Sequence, residues 1–167
     1  LVVFKNMETI FAPWRMEYIK GKKTDECVFC KCLVRCDEHI IYEDKYSFVM
    51  MNRYPYISGH LMIIPRRHTG EYSDLLQEER KEIFDLVEIA LKALRETMNP
   101  AGFNVGMNLG KAAGAGIAEH LHLHVIPRWE GDTNFMSVIG NVRIIPEDVA
   151  TTAAKLAPLF KKYHQEV

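Results

Sequence analysis

The hydrophobic positions of this 167-residue chain change period several times, and each change marks an element. Ile40-Ile41-Tyr42-Glu43 and Tyr46-Ser47-Phe48-Val49-Met50-Met51-Asn52 read as two strands joined at Asp44-Lys45, because β-branched and aromatic residues crowd between turn formers. Arg53 to Gly59 contains Pro55, Ser58 and Gly59 and reads as a loop. His60-Leu61-Met62-Ile63-Ile64-Pro65 is a short apolar run stopped by proline, which predicts a strand buried on both faces or nearly so. From about Asp74 to Met98 the period lengthens. Leu76, Ile83, Phe84, Val87, Ala90, Leu91, Leu94 and Met98 fall at helical spacing among Glu, Lys and Arg. That pattern predicts an amphipathic helix of about 20 residues, with a lead-in turn after Ser73-Asp74, covering a sheet. Asn99-Pro100-Ala101-Gly102 ends it, and Phe103 to Asn108 alternates as a strand. Gly110-Lys111-Ala112-Ala113-Gly114-Ala115-Gly116 is a loop of small residues, after which His120-Leu121-His122-Leu123-His124-Val125-Ile126-Pro127 restores a strict period of two. Strands around one long helix, without regular βαβ alternation, predict an α+β domain with a mostly antiparallel sheet of about five strands.

Length is that of a single domain, residues 1–167, able to bury a proper core. Within it, residues 1–26 read as an arm in which 12–19 mix aromatic, apolar and basic side chains. Residues 130–167 read as a C-terminal extension. Hydrophobic residues make up 48% and charged ones 26%, the balance of a soluble globular chain. A net charge of −1 removes any bulk attraction to nucleic acid or membrane, so neither is expected as a partner. No apolar run approaches the ~20 residues that span a bilayer. Leu1 to Asn6 is too short and wrongly flanked for a secretory signal, and Met7 is a candidate start. Cys27, Cys30, Cys32 and Cys36 crowd together; such spacing points to metal binding in the segment 27–39 rather than a disulfide framework, and to the cytoplasm.

The histidine run carries the most specific chemistry of the chain. On a strand, His120, His122 and His124 share one face while Leu121, Leu123 and Val125 share the other. Imidazole titrates nearest neutrality of all side chains and in its neutral form is a nucleophile toward phosphorus. The preceding loop of small residues exposes backbone N–H groups able to cradle phosphate oxygens, or is a mobile surface turn. No P-loop or dinucleotide-binding glycine pattern competes for that role.

The run His120-Leu121-His122-Leu123-His124-Val125-Ile126 resembles the signature of the histidine triad superfamily of nucleotidyl hydrolases and transferases. Three more stretches extend the likeness to bacterial diadenosine tetraphosphate phosphorylases of the Fhit-like branch. They are Pro13-Trp14-Arg15-Met16 with Tyr18-Ile19, Asn52-Arg53-Tyr54-Pro55-Tyr56 leading to Ser58-Gly59-His60-Leu61, and Pro127 to Met136. The likeness covers residues 11 to 150 or so.

That resemblance implies a histidine triad fold, a two-fold dimer and a set of roles. His122 would attack the α-phosphorus and form a covalent nucleotidyl-histidine; His120 and His124 would orient the site, and His60 would support them. Asn52 would contact the sugar, unless it only caps a turn, and Asn108 a phosphate or the nucleophilic ring. Amides of Gly114, Ala115 and Gly116 would hold the α-phosphate. Trp129 would wall the base or a second nucleotide, unless it only fills the core. Cys27, Cys30, His68 and His120 would bind a structural zinc, with Cys32, Cys36 and His39 as local competitors and free thiols as the alternative. No organic cofactor is implied, and a divalent cation could accompany the polyphosphate. The substrate would be a purine nucleotide or dinucleoside polyphosphate, and the acceptor inorganic phosphate, giving ADP and ATP from diadenosine tetraphosphate. Hydrolysis by water, cleavage of nucleoside phosphoramidates, and nucleotide binding without catalysis are the alternatives. One departure stands out: relatives often carry Gln or Ser four residues before the first triad histidine, where this chain has Gly116, so one side-chain contact to phosphate or leaving group would be missing.

Overall fold

The computed structural model describes residues 26–132 and 145–165. The arm at 12–19, the loop at 21–25 and the motif residues 133–136 lie outside them. In chain order the elements are α1 (Val28–Arg35), β1 (Ile40–Glu43), β2 (Ser47–Met51), β3 (Leu61–Pro65), a 3₁₀ turn (Tyr72–Asp74), α2 (Gln77–Met98), β4 (Gly102–Met107), a second 3₁₀ turn (Lys111–Ala113), β5 (Leu123–Arg128) and α3 (Val149–His164). The five strands form one antiparallel sheet in the order β1-β2-β3-β5-β4. This is the α+β architecture the hydrophobic pattern predicts, and apart from the start of β5 the strand ends shift by no more than a residue.

β2 and β3 are buried along their whole length, because each face of the sheet is covered by a different layer. On one face Val49, Met51, Leu61, Ile63, Leu123 and Val125 meet Ile83, Leu86, Ile89, Ala90, Ala93 and Leu94 of α2. Leu156 and Phe160 of α3 complete that core. On the other face Phe48, Met50, Met62 and Ile64 are covered by Phe29 of α1.

Two helices go beyond the sequence-based expectation. α3 starts where Asp148 accepts a hydrogen bond from the Thr151 amide at 2.9 Å, satisfying a donor that the first turn leaves unpaired. Pro158, an exposed position inside α3, argues against a helix at the level of sequence, yet burial of Leu156 and Phe160 outweighs it. α1 has eight residues, too few to be stable alone.

The histidine run also departs from expectation. β5 begins at Leu123, so His124 is a strand residue while His120 and His122 precede the ladder. Alternation of faces survives the correction: Leu121, Leu123 and Val125 enter the α2 core, and the three histidines face the α1 side.

Candidate active site and metal cluster

His124 is placed by the sheet, paired in register with Met62 of β3 and Gly106 of β4. Among the described residues nothing lies within 4 Å of where a Gly106 side chain would begin, so they leave the flank of His124 open. Segment 118–122, outside the ladder, is tied instead to the turn after β3. Leu121 N–H donates to the Thr69 carbonyl at 2.7 Å, and the His120 ring donates through Nε2–H to the Pro65 carbonyl at 2.8 Å. Arg67 anchors that turn to the start of α2 through both oxygens of Glu79, at 3.0 and 2.6 Å. Gly70 permits the approach: a Cβ there would meet the Ala118 carbonyl oxygen at 2.4 Å and Glu119 Cα at 3.2 Å. Sequence reasoning passes over Gly70, since the clash is with residues almost fifty positions away. Gly70→Ala should displace the triad segment, lower stability by about 1–3 kcal/mol and cut turnover about 10-fold or more through misplacement of His122. Thermal unfolding and steady-state rates measure both.

Hydrogen bonding fixes the proton on each ring. Tyr56 N–H donates to His60 Nδ1 at 3.1 Å, so neutral His60 carries its proton on Nε2. His60 Nε2 then donates to His124 Nδ1 at 2.9 Å, which leaves the His124 proton on Nε2, where it has no partner among the described residues. His122 donates through Nδ1–H to the His120 carbonyl at 2.9 Å, so its Nε2 holds a lone pair that no described residue shares. Three imidazoles are thus each locked in one tautomer: His122 presents an acceptor, His124 a donor.

Burial reinforces this. It pushes the pKa of His120 and of His122 below the ordinary histidine value. His124 is pushed down to about 4, by burial first and by the His122 charge second. The unfolded ring protonates near 6.5, so between about pH 6.5 and 4 the unfolded chain binds more protons than the folded one. Stability therefore falls on acidification, by about 2–3 kcal/mol from this ring between about pH 7 and 4.5. A His124→Asn variant should lose that share of the pH dependence in a melting series.

The remaining predicted residues gather around the triad to different degrees. Asn52 does cap a turn, accepting from Tyr54 N–H at 2.9 Å, while its amide nitrogen lies 3.3 Å from His60 Nδ1. Asn108 lies one residue beyond the Met107–Leu123 pair, on the His122 side. In the small-residue loop, Gly114 and Ala115 already donate their amides to the Lys111 and Gly110 carbonyls; Gly116 N–H is outside those turn bonds. Half-buried Trp129 donates through its indole N–H to the Met98 carbonyl at 3.4 Å. It lines a cleft of about 510 Å³ whose wall includes Tyr56, itself packed on His60 with ring centres 4.7 Å apart.

Cys27, Cys30, His68 and His120 bring one donor atom each within 4.8 Å of the others. Cys27 Sγ lies 3.3 Å from His120 Nδ1, Cys30 Sγ lies 3.5 Å from His68 Nδ1 and 3.6 Å from His120 Nδ1, and the two Nδ1 atoms are 3.3 Å apart. A tetrahedral zinc with ordinary Zn–S and Zn–N bonds separates S from N by about 3.6 Å and N from N by about 3.3 Å. The donor set fits the ion. The His120 bond to Pro65 supplies the outer contact that turns Nδ1 inward as a lone pair. The local competitors are used elsewhere: Cys32 donates to Asp37 at 3.5 Å, His39 pairs with Asp37 at 2.7 Å, and Cys36 is exposed.

Comparison with known proteins follows the same lines. A family model described as HIT domain matches residues 35–131. An AP-4-A phosphorylase of Mycobacterium tuberculosis is 35% identical over 162 residues, covering 90% of this chain and 83% of that protein. A bis(5'-adenosyl)-triphosphatase of Saccharomyces cerevisiae is 32% identical over 103 residues, covering 61% of this chain and 48% of that protein. A solved structure, a Zn-bound histidine triad family protein from Mycobacterium smegmatis, superposes with a TM-score of 0.68 at 29% identity, covering 85% of this chain and 98% of that one. The family model spans more than half of the sequence and takes in His60, His68 and all three triad histidines, so the chain belongs to the histidine triad (HIT) family.

Proposed function

We propose that this HIT-family enzyme transfers a nucleotidyl group from a dinucleoside polyphosphate through a covalent bond to His122, with diadenosine tetraphosphate and inorganic phosphate giving ADP and ATP. The carrying observation is the tautomer of His122. Its Nδ1–H is committed to the His120 carbonyl at 2.9 Å, and burial disfavours its charged form, so Nε2 is available as a nucleophile at neutral pH.

In the first step Nε2 attacks the α-phosphorus, the bond from phosphorus to its bridging oxygen breaks, and ATP leaves. The positive charge gained by His122 is shared with the His120 carbonyl through the existing hydrogen bond. The His124 Nε2–H, oriented by His60, donates to a phosphate oxygen. In the second step an oxygen of inorganic phosphate attacks the same phosphorus, breaks the P–N bond and releases ADP, restoring neutral His122. Asn52 and Asn108 contact the sugar and phosphates, Gly116 N–H holds the α-phosphate, and Trp129 walls the second nucleotide. Zinc at Cys27, Cys30, His68 and His120 plays a structural part. The β4 edge, paired only with β5 among the described strands, supplies the two-fold contact of a dimer.

Product analysis on diadenosine tetraphosphate, with and without inorganic phosphate, tests the reading. ADP with ATP, appearing only when phosphate is added, supports phosphorolysis. AMP with ATP regardless of phosphate replaces it with hydrolysis, and no cleavage overturns both.

A further inference from the structure

We propose that Phe29 is a positioning residue: carried on α1 between Cys27 and Cys30, its ring sets the rotation of the His122 imidazole, so that closure of the metal cluster is transmitted to the nucleophile. The proposal rests on the reading of His122 given above.

His122 stands just before the first ladder pair of β5, Ile63 with Leu123, so no strand bond fixes it. Its one ring hydrogen bond among the described residues, to the His120 carbonyl, leaves the ring free to swing about that axis. Two ring contacts remove the freedom. The His124 ring lies 4.9 Å away at 80°, and the Phe29 ring 5.1 Å away at 52°. The same Phe29 ring touches His120 edge-on, 5.5 Å between centres at 82°. It therefore bridges the residue that offers a metal donor and the residue that offers the attacking nitrogen.

Phe29 is itself rigid on one side and conditional on the other. It is 4% exposed and packs into Phe48, Met50, Met62 and Ile64 of the sheet. Its backbone belongs to an eight-residue helix whose first turn has no side-chain cap, and such a helix depends on tertiary anchors. Cys27 and Cys30 are two such anchors, one on each side of Phe29, and both reach His120 Nδ1. Binding a cation between those donors pins α1, and pinned α1 holds the Phe29 ring against His122. The lone pair of His122 must point along the line of attack on phosphorus, where a misplacement of about 1 Å costs on the order of 100-fold in rate.

The test uses zinc-loaded protein with ¹⁵N-labelled histidine, in wild type, Phe29→Leu and Phe29→Ala. Metal content, ring-nitrogen spectra, and kcat and KM on diadenosine tetraphosphate with phosphate are read for each. In wild type the His122 ring should give one signal set with the proton on Nδ1. In Phe29→Ala, with zinc still bound, that set should give way to exchange between tautomers, kcat should fall about 10- to 100-fold, and KM should stay within about twofold. Phe29→Leu, which keeps most of the bulk, should recover most of kcat. Chelating zinc from wild type should alter the His122 signals as Phe29→Ala does. Unchanged His122 signals in both Phe29→Ala and chelated wild type overturn the proposal; should Phe29→Ala fail to fold, Phe29→Leu and chelation decide it. A ring spectrum that responds as expected in a protein that cleaves no dinucleotide refutes the proposed reaction and leaves the positioning role of Phe29 standing.

Discussion

His122→Ala should lower nucleotidyl transfer by about 10⁴-fold or more while the protein stays folded. Neither of the other two triad rings can take the role. His124 Nδ1 accepts from His60, so its remaining nitrogen is a donor, and the His120 nitrogens face Pro65 and the thiols. A loss of 10⁴ corresponds to about 5–6 kcal/mol of transition-state stabilisation, the scale expected when an attacking atom is removed rather than misaligned. Stability should move little, by about 1 kcal/mol, because a desolvated polar ring is lost along with its single hydrogen bond. His124→Ala should cost less, about 100- to 1,000-fold, since it removes a donor and orienting group. His60→Ala should cost less again, acting only through His124. Isolation of an adenylylated wild-type protein under acid quench, absent from His122→Ala, measures the intermediate directly. Turnover retained in His122→Ala would exclude a covalent route through this residue.

Legibility in the sequence follows where each constraint comes from. β2 and β3 are visible as unbroken apolar runs because both faces of the sheet are covered. α2 is visible because 22 residues give its period room to repeat. The triad is legible as an alternation of faces, but its hydrogen-bonded frame is not. That His120 and His122 stand outside the ladder depends on the turn after β3, and on Gly70 passing close to Ala118 and Glu119. Such constraints join distant segments and leave no local period. α3 did leave one: Val149, Ala153, Leu156 and Phe160 follow the capping Asp148 at helical steps, a signal that Pro158 obscures.

The metal donors mark the limit most sharply. Within 27–39 the residues themselves offer four thiols and an imidazole of equal standing, and only the family likeness singles out Cys27 and Cys30. The fold supplies the reason. α1 turns Cys32 toward Asp37 and leaves Cys36 exposed at the helix end, whereas Cys27 and Cys30 face His68 and His120, which arrive from either end of the β3–β5 connection.

Removing the zinc proposed at Cys27, Cys30, His68 and His120 should lower the melting temperature by about 10 °C and turnover with it. A ligand bound at a thousand times its dissociation constant stabilises the folded state by about 4 kcal/mol, and each kcal/mol moves the midpoint of a domain this size by about 2–4 °C. In the metal-free cluster the thiols of Cys27 and Cys30 lie 3.3 and 3.6 Å from the His120 Nδ1 lone pair, and burial followed by the neighbouring Cys27 pushes the Cys30 thiol up. A cation must therefore displace the Cys30 proton, and its stabilising effect should weaken on acidification. Turnover should fall because the His120 carbonyl that holds His122 belongs to a cluster residue. Cys30→Ser and His68→Ala should reproduce the loss in zinc-containing buffer, while Cys36→Ser, exposed and outside the cluster, should stay within about 0.5 kcal/mol of wild type. Calorimetry before and after chelation, followed by zinc add-back, separates the cases. Recovery of melting temperature and rate together shows one device serving fold and nucleophile. Recovery of the first without the second confines the metal to the fold, and no response to chelation makes the four donors a cluster of reduced thiols and neutral rings.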